Sequence, residues 1–497
     1  MLDEHVKLFD RGLTANRHKE YLISPCLRLL TEVISFDGGS VAKAVYRKRQ
    51  TTFQRLHDFL TMRKDPTSED VESRRRSSVR SNALRYLIAN LRLQGHIAKV
   101  YLLNQGRITQ SLVQGIANDP PYLVLDILGV LRRDVAQDTG LSMILKRRFF
   151  NDRTLGRLAS LYGYKESGDG AQKATVKIQD AAHSFLLFVC TSPDYGLLHD
   201  KEKKPRIDAE DTAVTSTSID DEDSSKTGIN KPSRYHESFV NFLSSLRPYA
   251  DGLHNELVLA CFRIMPQLTD DYFSRKQGFS FDPKLTATWI GYSLILLSTV
   301  QLPIPDSCWR MEPDGQIFVE TMTRCILPSP LTRKTMTRCL NQSSNLIAFF
   351  ATRILNSAFK KLADTLHILK SIHIFKPGTP QQEVEQISLR LVSDFSRRCP
   401  EMKHVISQFR TCPKENAMQR ESIGRLMSNY YKFTPRIALE EKFDVSSALS
   451  ALLREIESNE ETSHRGEILL LELDHLLEVA HRSPNMQWWH RSGETPQ

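Results

Sequence analysis

Lysine and arginine side chains are concentrated in three stretches of the chain, AVYRKRQTTF, ESRRRSSVRSN and KRRFFNDRTLGRLASLYGY. Each phosphate that such a cation neutralises releases a condensed counterion, so clusters of this kind bind nucleic acid with a steep salt dependence. Solvated basic surface explains the charge equally well. The cationic positions predict RNA contacts at Arg47, Lys48, Arg49, Arg74, Arg75, Arg76, Arg80, Lys146, Arg147, Arg148 and Arg153.

The third stretch also has the pattern of an ordinary core helix. Leu155 and Leu158 fall on one helical face, and either Asn151 or Asp152 can cap its start. The pair Phe149–Phe150 is therefore predicted to fill the core before the helix rather than to stack on bases. The cations that precede the helix stay available for phosphate.

Two polar stretches carry signals for modification and targeting. RRRSS has the form of a basophilic kinase substrate, which makes Ser77 and Ser78 candidate sites where added negative charge would weaken anion binding. KEKKPR at 201–206 fits either a nuclear import signal or plain linker charge.

Catalytic motifs are missing from the sequence. It has no GxxxxGK[ST] loop, no GxGxxG, no HExxH and no GxSxG, and SGDGAQKATV at 167–176 lacks the Lys-Ser/Thr ending of a phosphate loop. The eight cysteines show no CxxC spacing, which predicts reduced thiols, an intracellular protein and no zinc site. We expect a protein that is not an enzyme, with no cofactor and no membrane span.

Helical patterns dominate the 497 residues, of which 40% are hydrophobic and 25% charged. Helices are predicted at 81–94, 120–135 and 281–300, the last with Asp282 as its N-cap. Their succession predicts an all-α fold, an α-solenoid of stacked helical pairs of the armadillo or HEAT kind. Residues 207–225, with seven acids and no base, predict a disordered acidic insertion.

The predicted domain organisation follows from these patterns. Residues 1–191 form the N-terminal half of the solenoid, residues 192–234 a disordered acidic linker, and residues 235–374 the second half. Residues 375–497 form a further helical region, either a continuation of the solenoid or a cap.

Several blocks resemble a known family. PPYLVLDILGVLRRDV, KRRFFNDRTLGRLASLYGY and AAHSFLLFVCTSPDYGL, in this order, and then FSFDPKLTATWIGYSLILLSTVQLPIP, are similar to the N-terminal domain of the nucleolar pre-ribosomal-associated protein 1 family. The resemblance covers roughly residues 20 to 370. Members continue after CTSPDYGLL with a GxxxKDxGWY-like segment, where this chain has its acidic linker, and they are much longer.

The resemblance implies a non-enzymatic helical scaffold in the nucleolus that acts early in large (60S) ribosomal subunit biogenesis and supports rRNA folding and processing. The implied partners are precursor ribosomal RNA and pre-60S particles, small nucleolar RNAs, and other assembly factors that include a DEAD-box RNA helicase. The alternative is a protein-binding solenoid of the nuclear transport or vesicle-coat kind, with an incidental basic surface.

Overall fold

The computed structural model describes residues 6–62, 78–165, 171–198, 234–275, 281–304, 309, 315–375, 381–458 and 464–487. Within these residues every regular element is a helix and no strand occurs. The chain divides into two compact units, Met1–Leu246 and Arg247–Gln497. The prediction of an all-α fold is confirmed, while the stacking of the helices as a solenoid stays a prediction.

The first unit is built from helices that are mostly two to four turns long. Short 3₁₀ turns at Phe36–Gly39, Ile116–Asn118 and Ser160–Gly163 and a π turn at Leu131–Ala136 connect or extend them. The helices are α1 (Val6–Leu13), α2 (Glu20–Ser35), α3 (Ala42–Arg47), α4 (Arg49–Thr52), α5 (Leu56–Thr61), α6 (Val79–Leu93), α7 (His96–Asn104), α8 (Gly106–Val113), α9 (Pro121–Val130), α10 (Met143–Phe149), α11 (Asp152–Ala159), α12 (Ala171–Thr191) and α13 (Arg234–Ser245).

Helix α6 is the central helix of the first unit and confirms the helix predicted at 81–94. It packs against α2, α5 and α9, and nearly all of its residues are buried. Ser78 caps its start, because the Ser78 hydroxyl accepts a hydrogen bond from the Ser81 N–H at 3.1 Å. A helix that is buried on all sides must satisfy its polar groups inside the protein.

One buried guanidinium meets this requirement and joins several segments. The Nε and Nη2 atoms of Arg80 each donate to the Asp119 carboxylate at 2.7 Å. The same side chain donates to the backbone oxygens of Leu60, Ser111 and Leu112. Because a buried charge is tolerated only when it is paired and hydrogen-bonded, this network fixes α5, α6, α8 and the 116–118 turn to one another.

Two buried lysines hold the end of α9, which continues into the π turn. Lys99 of α7 donates from Nζ to the Asp134 oxygen at 3.1 Å and to the Asp138 carboxylate at 2.7 Å. Lys146 of α10 donates from Nζ to the Ala136 oxygen at 2.8 Å. The last carbonyls of a helix have no partner within it, and these lysines supply one. Helices α7 and α10 are thereby anchored to α9.

The second unit has longer helices. Its most buried helix, α22, packs against α19, α21 and α25. The helices are α14 (Gly252–Ile264), α15 (Gln267–Arg275), α16 (Ala287–Gln301), α17 (Gly315–Ile326), α18 (Arg333–Leu340), α19 (Asn345–Phe375), α20 (Gln381–Arg398), α21 (Met402–Thr411), α22 (Ala417–Phe433), α23 (Pro435–Ala438), α24 (Ser446–Ser458) and α25 (His464–Arg482).

The predicted start of the helix at 281–300 is wrong. Helix α16 begins at Ala287, and its N-cap is Thr286, whose hydroxyl accepts from the Trp289 N–H at 3.1 Å. Asp282 has another partner, because Arg338 of α18 donates to its carboxylate at 2.8 Å.

The predicted linker at 192–234 begins with residues that pack. Leu197 and Leu198 are buried, and their N–H groups donate to the oxygens of Val189 and Cys190 in α12. Residues 199–233, which hold the acidic stretch, lie outside the described residues, and Arg234 begins α13. The other predicted domain boundaries stay predictions.

Candidate nucleic-acid interface

The cationic, aromatic segment KRRFFNDRTLGRLASLYGY forms the end of α10, the whole of α11 and the 3₁₀ turn that follows, with Phe150 and Asn151 between the two α-helices. Asn151 is the N-cap of α11, since its Oδ1 accepts from the Thr154 N–H at 3.0 Å. Phe149 and Phe150 are almost completely buried, with ring centroids 4.8 Å apart. The prediction that these aromatic rings belong to the core is confirmed.

The cations of this segment have different environments. Lys146 is buried and bonded to the end of α9, as described above. The Arg147 guanidinium lies 4.8 Å from the centroid of the Tyr235 ring and donates to the Leu197 oxygen at 3.3 Å. Arg148 and Arg153 are exposed to solvent. Half of the predicted cations here therefore stabilise the fold, and the other half face water.

Two arginines that the sequence analysis did not select extend this exposed pair. Arg157 is exposed one turn beyond Arg153 on α11, opposite the buried Leu155. Arg107 is exposed in the first turn of α8, the helix against which α11 packs. The spacing of four residues opposite the apolar face of α11 was the signal that could have identified Arg157.

We call Arg107, Arg148, Arg153 and Arg157 the α10–α11 basic surface. The Arg148 side chain lies at the end of α7, with its Nη1 3.5 Å from the Asn104 Oδ1, three residues before Arg107. Within the part of the chain that the structure describes, no carboxylate forms an ion pair with any of the four arginines. These guanidinium groups keep their donors available for phosphate oxygens.

The first predicted cluster lies at the junction of α3 and α4. Arg47 is exposed. The Arg49 guanidinium lies 4.9 Å from the centroid of the Tyr46 ring and 5.4 Å from that of Tyr101, so it contacts two neighbouring aromatic rings. Lys48 is half-buried and has partners within the protein. Of this cluster, Arg47 presents its charge most directly to solvent.

The second predicted cluster is placed only in part. Arg74, Arg75, Arg76 and Ser77 lie outside the described residues. The structure places Arg80 in the interior, where its donors are used by Asp119 and three carbonyls. Arg80, like Lys146, cannot contact a phosphate without unfolding its surroundings, and we correct both assignments.

Comparison with known proteins adds an observation independent of this geometry. Residues 1–292 match the family model Ribosome 60S biogenesis N-terminal, also named Npa1. This chain belongs to the Npa1 family. Membership implies a role in the biogenesis of the 60S ribosomal subunit, and the resemblance stated from the sequence is confirmed.

A curated relative of the Npa1 chain is Nucleolar pre-ribosomal-associated protein 1 of Saccharomyces cerevisiae (strain ATCC 204508 / S288c). The two sequences are 21% identical over 509 residues, which cover 99% of this chain and 26% of the relative. The chain thus spans about a quarter of the length of that relative. The whole α10–α11 basic surface lies in the part that the family model matches.

Metal ligation, disulfide bonding and membrane insertion are three other roles that side chains of this Npa1 chain could serve. None of the groups of His, Cys, Asp and Glu side chains that the structure describes is arranged to hold a metal ion. The cysteines among the described residues are free thiols, and no described helix is long and apolar enough to cross a membrane. The exposed arginines are the feature whose chemistry matches nucleic acid.

Proposed function

We propose that this chain is a non-enzymatic helical scaffold of early 60S subunit biogenesis that binds precursor ribosomal RNA through the α10–α11 basic surface. The observation that carries the proposal is the set of four exposed arginines, free of ion pairs with described residues, inside the family-matched region. Family membership supports the process, and the arginines support direct contact with RNA.

The contact would be made with the RNA backbone. Arg153 and Arg157 are one helical turn apart, about 6 Å along the axis of α11, so they can reach neighbouring phosphates of one strand. Structured RNA is recognised largely through its shape and backbone, and such contacts give affinity more than sequence choice. The mechanism is positioning: α11 is held by its cap and by packing on α8 and α13, and it presents the arginines in a fixed geometry.

The proposal extends to partners and location. A scaffold without catalytic groups depends on other factors for RNA remodelling, so we propose association with pre-60S particles, with small nucleolar RNAs and with assembly factors that include a DEAD-box RNA helicase. The name of the yeast relative supports a nucleolar location and a pre-ribosomal association. No cofactor is required for a mechanism of positioning.

The test is ultraviolet crosslinking of the tagged chain in cells, followed by sequencing of the attached RNA. The test variant changes Arg148, Arg153 and Arg157 to Glu. The matched control changes three exposed cations of the second unit, Lys414, Arg390 and Arg436, to Glu and thus alters net charge equally. The purified proteins are also titrated with a large-subunit precursor RNA fragment at several salt concentrations.

We expect the crosslinks to large-subunit precursor RNA to fall in the test variant and to persist in the control. In vitro, the slope of log K against log salt should become shallower by about 2, since each lost phosphate contact removes about 0.7 to 0.9. Equal crosslinking by both variants would assign the RNA contact to other residues. Absence of this RNA from the unaltered chain would reject direct binding and favour the protein-binding solenoid.

A further inference from the structure

The outward face of α11 ends in a hydroxyl group. Ser160 directly follows Ala159, the last residue of α11, and its side chain is exposed. Its backbone continues the helical path, with φ −62° and ψ −16°. At about 100° per residue, Ser160 lies roughly 20° from Arg153 and roughly 60° from Arg157 around the helix axis. These three side chains therefore lie on one face, which belongs to the α10–α11 basic surface.

The Ser160 hydroxyl lies over the turn that carries Arg157. Its Oγ donates to the Arg157 backbone oxygen at 2.6 Å. Residues three apart on a helix are neighbours, with Cβ atoms about 5–6 Å from each other. Helical side chains also lean toward the N-terminus of their helix. A larger group on the Ser160 Oγ would therefore extend toward the guanidinium groups of Arg157 and Arg153.

The residues around Ser160 form an acceptor sequence for a kinase. GRLASLYG at 156–163 has Arg157 three residues before the serine and Leu161 directly after it, the pattern of a basophilic kinase substrate. Ser393 of α20 is also exposed and has the same spacing from Arg390, but it lies inside a helix of 18 residues. Because helix ends open more readily than helix interiors, Ser160 is the better acceptor of the two.

We propose that a basophilic serine kinase phosphorylates Ser160, and that the phosphate binds Arg153 and Arg157 in place of an RNA phosphate. This inference rests on the proposed function, because it concerns the regulation of the same surface. The phosphoryl donor is ATP. A bond forms between the γ-phosphorus and the Ser160 Oγ, and the bond from that phosphorus to the bridging oxygen breaks. The hydroxyl proton passes to a base of the kinase, and ADP leaves with the electron pair.

The added phosphate would compete with RNA from within the chain. It carries a charge of about −1.5 to −2 at pH 7 and three strong acceptor oxygens. Among the described residues, no carboxylate forms an ion pair with Arg153 or Arg157, so both guanidinium groups have donors for it. A group on the same chain is present at a high effective concentration, whereas RNA must be bound from solution. The remaining negative charge also repels the RNA backbone.

The first experiment asks whether the folded chain is an acceptor. The purified full chain is incubated with ATP and the catalytic subunit of cyclic-AMP-dependent protein kinase, and phosphopeptides are quantified by mass spectrometry. We expect phosphate on Ser160 and the loss of most of it in Arg157→Ala, which lacks the arginine that the kinase selects. Circular dichroism checks that this variant is folded. Phosphate on Ser393 but not on Ser160 would overturn the proposal.

The second experiment detects the contact between phosphate and arginine without RNA. Phosphoserine is incorporated at position 160 during synthesis of the chain, and its phosphorus resonance is followed as the pH changes. The second pKa of a free phosphoserine is about 6, and neighbouring guanidinium groups favour the dianion. We expect a lower pKa at position 160 and a return toward 6 when Arg153→Gln and Arg157→Gln are added. A pKa that these substitutions leave unchanged would contradict the contact.

The third experiment measures the effect on RNA binding. The chain with phosphoserine at position 160 is titrated with the large-subunit precursor RNA fragment. We expect an affinity about tenfold lower near 0.15 M salt, and a slope of log K against log salt that is shallower by about 1 to 2, because two arginines no longer contact RNA phosphates. Phosphoserine at position 393 adds the same charge three residues after Arg390 and is the matched control. It should leave the affinity unchanged.

The outcomes separate this inference from the proposed function. If the unmodified chain does not bind the RNA, the proposed function is rejected, and the phosphorus titration still decides whether the phosphate contacts the arginines. If the unmodified chain binds and phosphoserine at position 160 leaves its affinity unchanged, the proposed function stands and this inference is overturned. Equal losses with phosphoserine at positions 160 and 393 would assign the effect to net charge and would overturn it as well.

Discussion

Arg80 and Arg153 carry the same guanidinium group in different surroundings. The Arg80 guanidinium donates hydrogen bonds to Asp119 and to backbone oxygens, and the residue is 7% exposed. Arg153 is exposed and has no ion pair with a described residue. A guanidinium already bonded inside the protein gains nothing from a phosphate, because it would have to give up bonds of equal strength. Availability, rather than local charge density, decides which arginines can bind RNA.

Because its donors are used inside the protein, Arg80 is expected to stabilise the fold and not to contact RNA. We expect Arg80→Met to lower the free energy of unfolding by about 3–5 kcal/mol, because Asp119 would stay buried without its partner. Adding Asp119→Leu should recover a large part of the loss. Urea unfolding of the three proteins measures both effects. If the Arg80→Met variant is fully stable but binds RNA weakly, Arg80 contacts RNA and does not have the structural role assigned to it.

Asp138 gives a pH-dependent contribution to stability. Burial raises the pKa of Asp138, but hydrogen bonds from Lys99 and from the Gly140 N–H outweigh it and hold the pKa below its ordinary value of 3.8. Since the folded-state pKa is lowered, the ion pair stabilises the fold above the unfolded-state pKa. This contribution is lost as the pH falls through the folded-state pKa.

We therefore expect Asp138→Asn to be less stable than the unaltered chain at pH 7, and the difference to shrink below a pH of about 3.8. Urea unfolding in a series of buffers from neutral to acid pH measures it. Asp126→Asn is the control, because Asp126 and its partner Arg92 are both exposed to water, and an exposed ion pair contributes little to stability. A difference that stays constant through the acid range would contradict the role assigned to Asp138.

At the scale of single helices, local pattern predicted elements better than it predicted their ends. Leu84, Leu87, Ile88 and Leu91 on one face predicted a helix at 81–94, and α6 runs from Val79 to Leu93. The caps and ion pairs instead involve residues that are far apart in the sequence. Asp282 lies four residues before the N-cap of α16, and its carboxylate accepts from Arg338, 56 residues later. No local pattern contains that information, and the same holds for Arg80 and Asp119.

The cap of α11 connects stability with the candidate interface. We expect Asn151→Ala to cost about 1 kcal/mol of unfolding free energy, because the Thr154 N–H loses its acceptor. Helix α11 has only two turns, so fraying would also disorder Arg153 and weaken RNA binding by a factor of about 2 to 5. Asn151→Asp keeps an acceptor and should restore both properties. Titration with RNA and urea unfolding measure the two effects.

A matched cap in the second unit controls for stability alone. Asn416 caps α22, where its Oδ1 accepts from the Gln419 N–H at 3.4 Å. Asn416→Ala should lose a comparable amount of unfolding free energy and leave the affinity for RNA unchanged. If both variants weakened RNA binding equally, the effect of Asn151→Ala would come from general destabilisation rather than from the position of Arg153.

At the scale of the molecule, the surface that carries the proposed function lies in one of the two units. The α10–α11 basic surface lies between Met1 and Leu246, within the residues that match the Npa1 family model. Sequence resemblance identified the family, because several specific blocks occur in order. It did not distinguish exposed from buried cations, since burial depends on which helices pack together.

Each unit has its own core, and this separation permits a direct test. The first unit is held by internal contacts around α6, and the second by contacts around α22. We expect a fragment of residues 1–246 to unfold cooperatively on its own and to bind precursor RNA with the salt dependence of the whole chain. A fragment of residues 247–497 should fold and bind RNA weakly. Fluorescence titrations at several salt concentrations measure both. If the first fragment folds but its slope of log K against log salt is shallower than that of the whole chain by about 1 to 2, the second unit supplies one or two of the phosphate contacts.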